Sequence, residues 1–124
     1  MGMDVYGRKP VAEAGKYFRA NIWSWQPIHA LCETVLARKL LSWAFNDGDG
    51  FKSQQECDDL ADRLEKYLEA FPSERIEIES AIRVNEKGLL MPGITGGRTA
   101  FSARREQVCK FIAFLRACGG FEIR

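Results

Sequence analysis

The sequence predicts an α+β domain, three helices packed on a small, mainly antiparallel sheet. Apolar residues recur at helical spacing in three separate stretches, and apolar and polar residues alternate near both ends and again in the middle. The length of 124 residues suits one hydrophobic core and is short for two, so residues 1–124 are read as a single domain.

Each element follows from local chemistry. Met3-Asp-Val-Tyr6 alternates and reads as a strand, closed by Gly7 and the Lys9-Pro10 break. Residues 11–21 give mixed signals, and 22–25 read as extended or irregular. Pro27 suits the first position of a helix, where a missing N–H costs nothing, and the apolar pattern then runs to about Phe45. Apolar over most of its circumference, this helix is expected at the centre of the domain. Asn46-Asp-Gly-Asp-Gly50 is a loop by composition. Ser53 and Glu56 form a capping box for a second helix reaching about Phe71, with Cys57, Leu60, Ala61, Leu64, Tyr67, Leu68 and Phe71 on one face. Asp59–Arg63 and Asp62–Lys66 are spaced for ion pairs on its outer face.

Ile76, Ile78, Ile82 and Val84 keep an even register, the period of a half-buried strand. Asn85–Gly88 reads as a hairpin turn into Leu89–Met91, and 92–99 as a flexible loop. Ser102 is placed to cap a third helix whose buried stripe is Val108, Phe111, Ile112 and Leu115. Gly119-Gly120 ends that helix, and Phe121–Ile123 forms a last short strand.

Composition excludes several classes. A hydrophobic share of 46% with 28% charged residues describes a globular chain, not a disordered or fibrous one. There is no apolar run long enough for a membrane-spanning helix. No basic region followed by an apolar stretch opens the sequence, so the expected location is the cytoplasm, where thiols stay reduced. The four cysteines, Cys32, Cys57, Cys109 and Cys118, form no C-x-x-C pair and read as buried small hydrophobes.

Metal and catalytic motifs are incomplete. His29 and Cys32 share a helix face, but the short ligand spacings of a zinc site are otherwise missing. Asp47, Asp49, Gly50 and Glu56 match part of an EF-hand loop, yet Phe45 stands where its first carboxylate belongs, and a plain helix connector is favoured. The glycines at 88, 93, 96 and 97 fit neither phosphate-loop nor dinucleotide spacing. His29 is the single imidazole, and Asp4 and Tyr6 share a strand face as mere neighbours. No catalytic residue, metal or other cofactor is assigned, and the chain reads as non-enzymatic.

The densest aromatic stretch is residues 16–27, where Tyr17, Trp23 and Trp25 accompany Arg19. Tyrosine, tryptophan and arginine are the side chains of interface hot spots, so these four are the candidate partner-binding residues. The competing reading makes the rings part of the core; the three helices and the strands are expected to close an interior without them. Charge gives an alternative. Residues 1–52 carry +2, 53–87 carry −5 and 88–124 carry +4, within a total of +1. Arg98, Arg104, Arg105 and Lys110 in the basic last third could bind nucleic acid, although the near-neutral total argues against a dedicated binder.

Three segments together, Met1–Gly7, the Tyr17-Phe-Arg-x-Asn21-x-Trp23-x-Trp25-x-Pro27 stretch and Gly119-Gly-Phe-Glu-Ile123, resemble a family of small bacterial and phage proteins of unassigned activity. The tryptophans of those relatives tend to adjoin, whereas Ser24 separates them here. The resemblance implies a compact intracellular domain carried on mobile elements, and it brings no site residues with it. The resulting expectation is a binding protein acting on a macromolecular partner, most simply a protein, with phage-borne inhibition or modulation of a host system (an anti-defence role, for example) as one form.

Overall fold

Period-two alternation places Met3 and Val5 on one side of the first strand, both buried, with Asp4 and Tyr6 on the other. This strand, β1 (Gly2–Gly7), is the middle of a three-stranded antiparallel sheet in the order β2-β1-β5. β2 (Tyr17–Asn21) buries Phe18 and Ala20, and β5 (Phe121–Ile123) buries Phe121 and Ile123. The computed structural model describes residues 2–37, 40–44, 48–80 and 99–124; the side chains at 22, 23, 41, 44, 77–80 and 99–101 are outside that description.

The mixed signals over 11–21 resolve into a 3-10 turn at Glu13–Gly15 followed by β2. The first helix, α1 (Ile22–Leu36), starts five residues before Pro27 and ends nine before Phe45. Its start is set by Asn21, whose side-chain oxygen accepts the Ser24 N–H at 2.8 Å, leaving Pro27 inside the helix. Its end is set at Ala37, which takes the left-handed conformation (φ 54°) and donates its N–H to the carbonyls of Glu33 and Thr34. Beyond the break, Glu33 accepts the Leu40 N–H at 2.8 Å and His29 Nε2 lies 2.7 Å from the Leu40 carbonyl. A 3-10 turn at Leu41–Ala44 then folds Trp43 back onto Trp25 and His29.

α2 (Gln54–Ala70) buries Cys57, Leu60, Ala61, Leu64 and Leu68 as expected, whereas Tyr67 is partly buried and Phe71, just past the helix end, is exposed. The Ser53 hydroxyl accepts the Glu56 N–H and donates to the Glu56 carboxylate. Asp59 pairs with Arg63 as spaced, while Asp62 pairs with Arg116 near the end of the third helix. β3 (Arg75–Ser80) pairs antiparallel with β4 (Thr99–Arg104) in a separate two-stranded sheet, bringing the buried Ile76 opposite the buried Ala103. Ile82, Val84, the expected turn at 85–88 and the segment 89–91 fall outside the described residues.

Ser102 does not cap a helix. It sits in β4 opposite Glu77, and α3 (Arg105–Leu115) begins three residues later. The Arg105 N–H at that helix start bonds the Glu74 carbonyl at 2.8 Å, so continuation of the strand supplies what a side-chain cap would. The buried stripe Val108, Phe111, Ile112 and Leu115 is as expected, joined by Phe114. Gly119 and Gly120 take positive φ, 67° and 91°, and turn the chain into β5.

The architecture is thus a small α+β fold, three helices packed on antiparallel sheet. α1 touches α2 and strands of both sheets, the central place its apolar circumference requires. Trp25, Trp43, Phe51, Phe111, Phe114 and Phe121 form a continuous run of ring contacts through the interior. No helix among the described residues is long and apolar enough to cross a membrane.

Candidate functional site on the outer face of the three-stranded sheet

Antiparallel register decides which side chains meet on the exposed face of the β2-β1-β5 sheet. Tyr6 lies opposite Tyr17 and Asp4 opposite Arg19 across β1 and β2, while Tyr6 faces Glu122 across β1 and β5. The two tyrosine rings stand 5.0 Å apart at 46°, with Tyr6 39% and Tyr17 43% exposed. The Tyr17 hydroxyl donates a hydrogen bond to the Asp4 carboxylate. That bond is the main reason the Tyr17 phenol is held above its ordinary pKa. Arg19 Nε lies 3.8 Å from the same carboxylate.

Beyond the pair, the Arg124 guanidinium sits 5.4 Å from the centre of the Tyr6 ring while bonding Glu122. Arg8 donates to the Phe121 carbonyl at 3.2 Å and lies 3.4 Å from Asp49. Three arginines on or beside this face, Arg8, Arg19 and Arg124, are therefore each within ion-pair distance of a carboxylate. The result is an amphipathic, charge-balanced surface: two fixed phenol rings, with donors and acceptors held around them.

The four residues of the predicted partner surface are not all brought together. Tyr17 and the exposed Arg19 lie on the outer face. Trp25 does not: it is 1% exposed, its indole N–H donates to the Trp43 carbonyl at 2.7 Å, and its ring meets Phe111 edge-on at 5.7 Å. The helix that starts after the Asn21 cap carries Trp25 into the interior, so the interior does use an indole from this stretch. Trp23 is in the first turn of α1, and its side chain is outside the described residues. Sequence reasoning missed Tyr6 and Arg124 as members of the face. Alternation over Tyr17-Phe-Arg-Ala-Asn21 could have marked β2 as a strand able to pair with 3–6.

Of the four basic residues proposed for nucleic acid, the three described ones each have a partner within the fold. Arg98 is outside the described residues. Arg105 donates to the Leu68 and Phe71 carbonyls, satisfying the C-terminal end of α2. Arg104 and Lys110 both approach Glu106, at 4.0 and 3.3 Å.

The loop read against an EF-hand has a structural role. The Gly48 and Phe51 carbonyls accept the N–H groups of Ile123 and Phe121, so the segment pairs along the edge of β5. Among the described residues, no three or more His, Cys, Asp or Glu side chains are grouped to hold a metal ion. His29 and Glu33 are buried, bridging to Leu40, and burial pushes the Cys32 thiol far above its ordinary value. Cys57 and Cys118 are buried as expected, whereas Cys109 is exposed on α3. Protein-family models, curated proteins and solved structures give no match to this chain.

Proposed function

We propose that this domain binds a protein partner through the outer face of the three-stranded sheet, with Tyr6, Tyr17, Arg19 and Arg124 as the contact residues. The observation that carries this reading is the exposed tyrosine pair, with Tyr17 bonded to Asp4 and Tyr6 beneath the Arg124 guanidinium. Rings already fixed by neighbours lose little conformational entropy on binding, and tyrosine and arginine supply most hot-spot energy. Charge balance favours a protein over a polyanion. Every arginine here has a carboxylate within 4 Å, so a phosphate backbone would meet matched positive and negative groups. The resemblance to small phage and bacterial proteins extends the proposal to modulation of a host system by such docking.

A photo-crosslinking side chain installed at position 17, with position 66 on the outer face of α2 as control, tests the reading in a bacterial lysate. A partner captured from position 17 alone is then purified and its affinity measured. Tyr17→Ala with Arg124→Ala should weaken it at least tenfold, about 1.4 kcal/mol, while leaving the domain folded. Unchanged affinity, or capture from position 66 only, overturns the proposal. Salt-sensitive binding of a single-stranded oligonucleotide through Arg104 and Lys110 would support the nucleic-acid reading instead.

A further inference from the structure

Two thiols far apart in sequence meet inside the molecule. Cys57 is in the first turn of α2 and Cys118 in the turn after α3; both are fully buried, and their sulfurs lie 3.5 Å apart. Neighbouring groups hold the two backbones in place. The Gln54 side chain donates to the Leu115 carbonyl at 2.8 Å and accepts the Gly119 N–H at 2.7 Å, clamping the Cys118 turn to the start of α2. The Cys118 carbonyl also accepts the Lys9 N–H at 3.0 Å. A disulfide needs sulfurs about 2.05 Å apart, so the two sulfurs must approach by roughly 1.5 Å.

We propose that Cys57 and Cys118 are a redox modification site, converted to an intramolecular disulfide by hydrogen peroxide and returned to thiols by a dithiol or thiol reductant. The Cys118 thiolate attacks one peroxide oxygen; the O–O bond breaks, hydroxide leaves and takes up a proton as water, and Cys118 becomes a sulfenic acid. The Cys57 thiol then attacks the Cys118 sulfur, and the sulfenic oxygen leaves as a second water with the thiol proton. The two thiols have lost two electrons, and the peroxide has gained them. The two thiols share a hydrogen bond at 3.5 Å, so each sulfur already faces the other. Both thiols are fully buried, so peroxide meets them when the turn around Cys118 opens locally. The site goes beyond the docking face and does not depend on it.

The test treats the full chain, in a Cys109→Ala background that removes the exposed thiol, with a small excess of hydrogen peroxide. The expected product has lost two hydrogens in mass, and a peptide map without reductant links 57 to 118. Its melting temperature rises on the order of 10 °C, because a bridge across some 60 residues restricts the unfolded chain, and dithiothreitol reverses the rise. Cys57→Ser should leave Cys118 oxidised without a bridge, and the map of the parent protein decides the matter even if that variant folds poorly. Recovery of Cys57 and Cys118 as free thiols, their separate over-oxidation, or a bridge from either to Cys32 overturns the proposal.

Discussion

Replacing Trp25 by alanine separates a core residue from a contact residue. The indole is 1% exposed, between Phe111 at 5.7 Å and Trp43 at 6.5 Å. A buried side chain of this kind covers about 200 Å², which at about 25 cal/mol per Å² gives about 4 kcal/mol once alanine's methyl is allowed for. The Trp43 carbonyl also loses the donor now 2.7 Å away, adding about 1 kcal/mol. The sum agrees with the 3–5 kcal/mol typical of aromatic-to-alanine changes in cores. Against a total stability of about 5–15 kcal/mol, that is a large fraction. Urea unfolding followed by far-ultraviolet circular dichroism should show a midpoint lower by about 2.5 M, taking about 2 kcal/mol per M for the slope. Tyr17→Ala should cost no more than about 1 kcal/mol, the size of a cross-strand aromatic pair. A loss below about 1 kcal/mol for Trp25→Ala would refute the assignment of this ring to the core.

Two further outcomes follow from the geometry. A Cβ on Gly7 would lie 1.9 Å from the Gly15 carbonyl oxygen, backbone that cannot step aside, so Gly7→Ala should cost about 2–3 kcal/mol and lower the thermal midpoint by about 10 °C; an unchanged melt contradicts the close approach. The bond to Asp4 raises the Tyr17 phenol, so the fold favours the neutral form: this contribution is complete below the ordinary tyrosine pKa and is lost as pH rises through the raised one. Asp4→Ala should therefore shift one tyrosine's ionisation, followed by tyrosinate absorbance, to lower pH, and a superimposable titration curve speaks against the bond.

Where one local rule governed an element, the sequence was legible. α2 combines a Ser53 cap with an unbroken apolar stripe, and β1, the α3 stripe, the Gly119-Gly120 turn and β5 each follow from one pattern. Both ends of α1 were misplaced because competing signals were present. Pro27 is a good helix start, but Asn21 supplies an actual cap one and a half turns earlier. At the other end Ala37, with no intrinsic preference for positive φ, is held there while Glu33 and His29 bind Leu40 and Trp43 packs on Trp25. Those are tertiary contacts that no short window contains. The candidate site was half legible for the same reason. Tyr17 and Arg19 were visible as residue types, but Tyr6 and Arg124 join them only through strand register.

The placement of β1 between β2 and β5 has a consequence for synthesis on the ribosome. Residues 2–7 can pair with 17–21 almost as soon as both emerge, yet their second neighbour, residues 121–123, is translated more than a hundred positions later. At about 5–20 residues per second, the nascent sheet spends roughly 5–20 s with one ladder edge of its middle strand unfilled. During that interval the growing polypeptide offers an open β-edge on which a neighbouring nascent strand can pair.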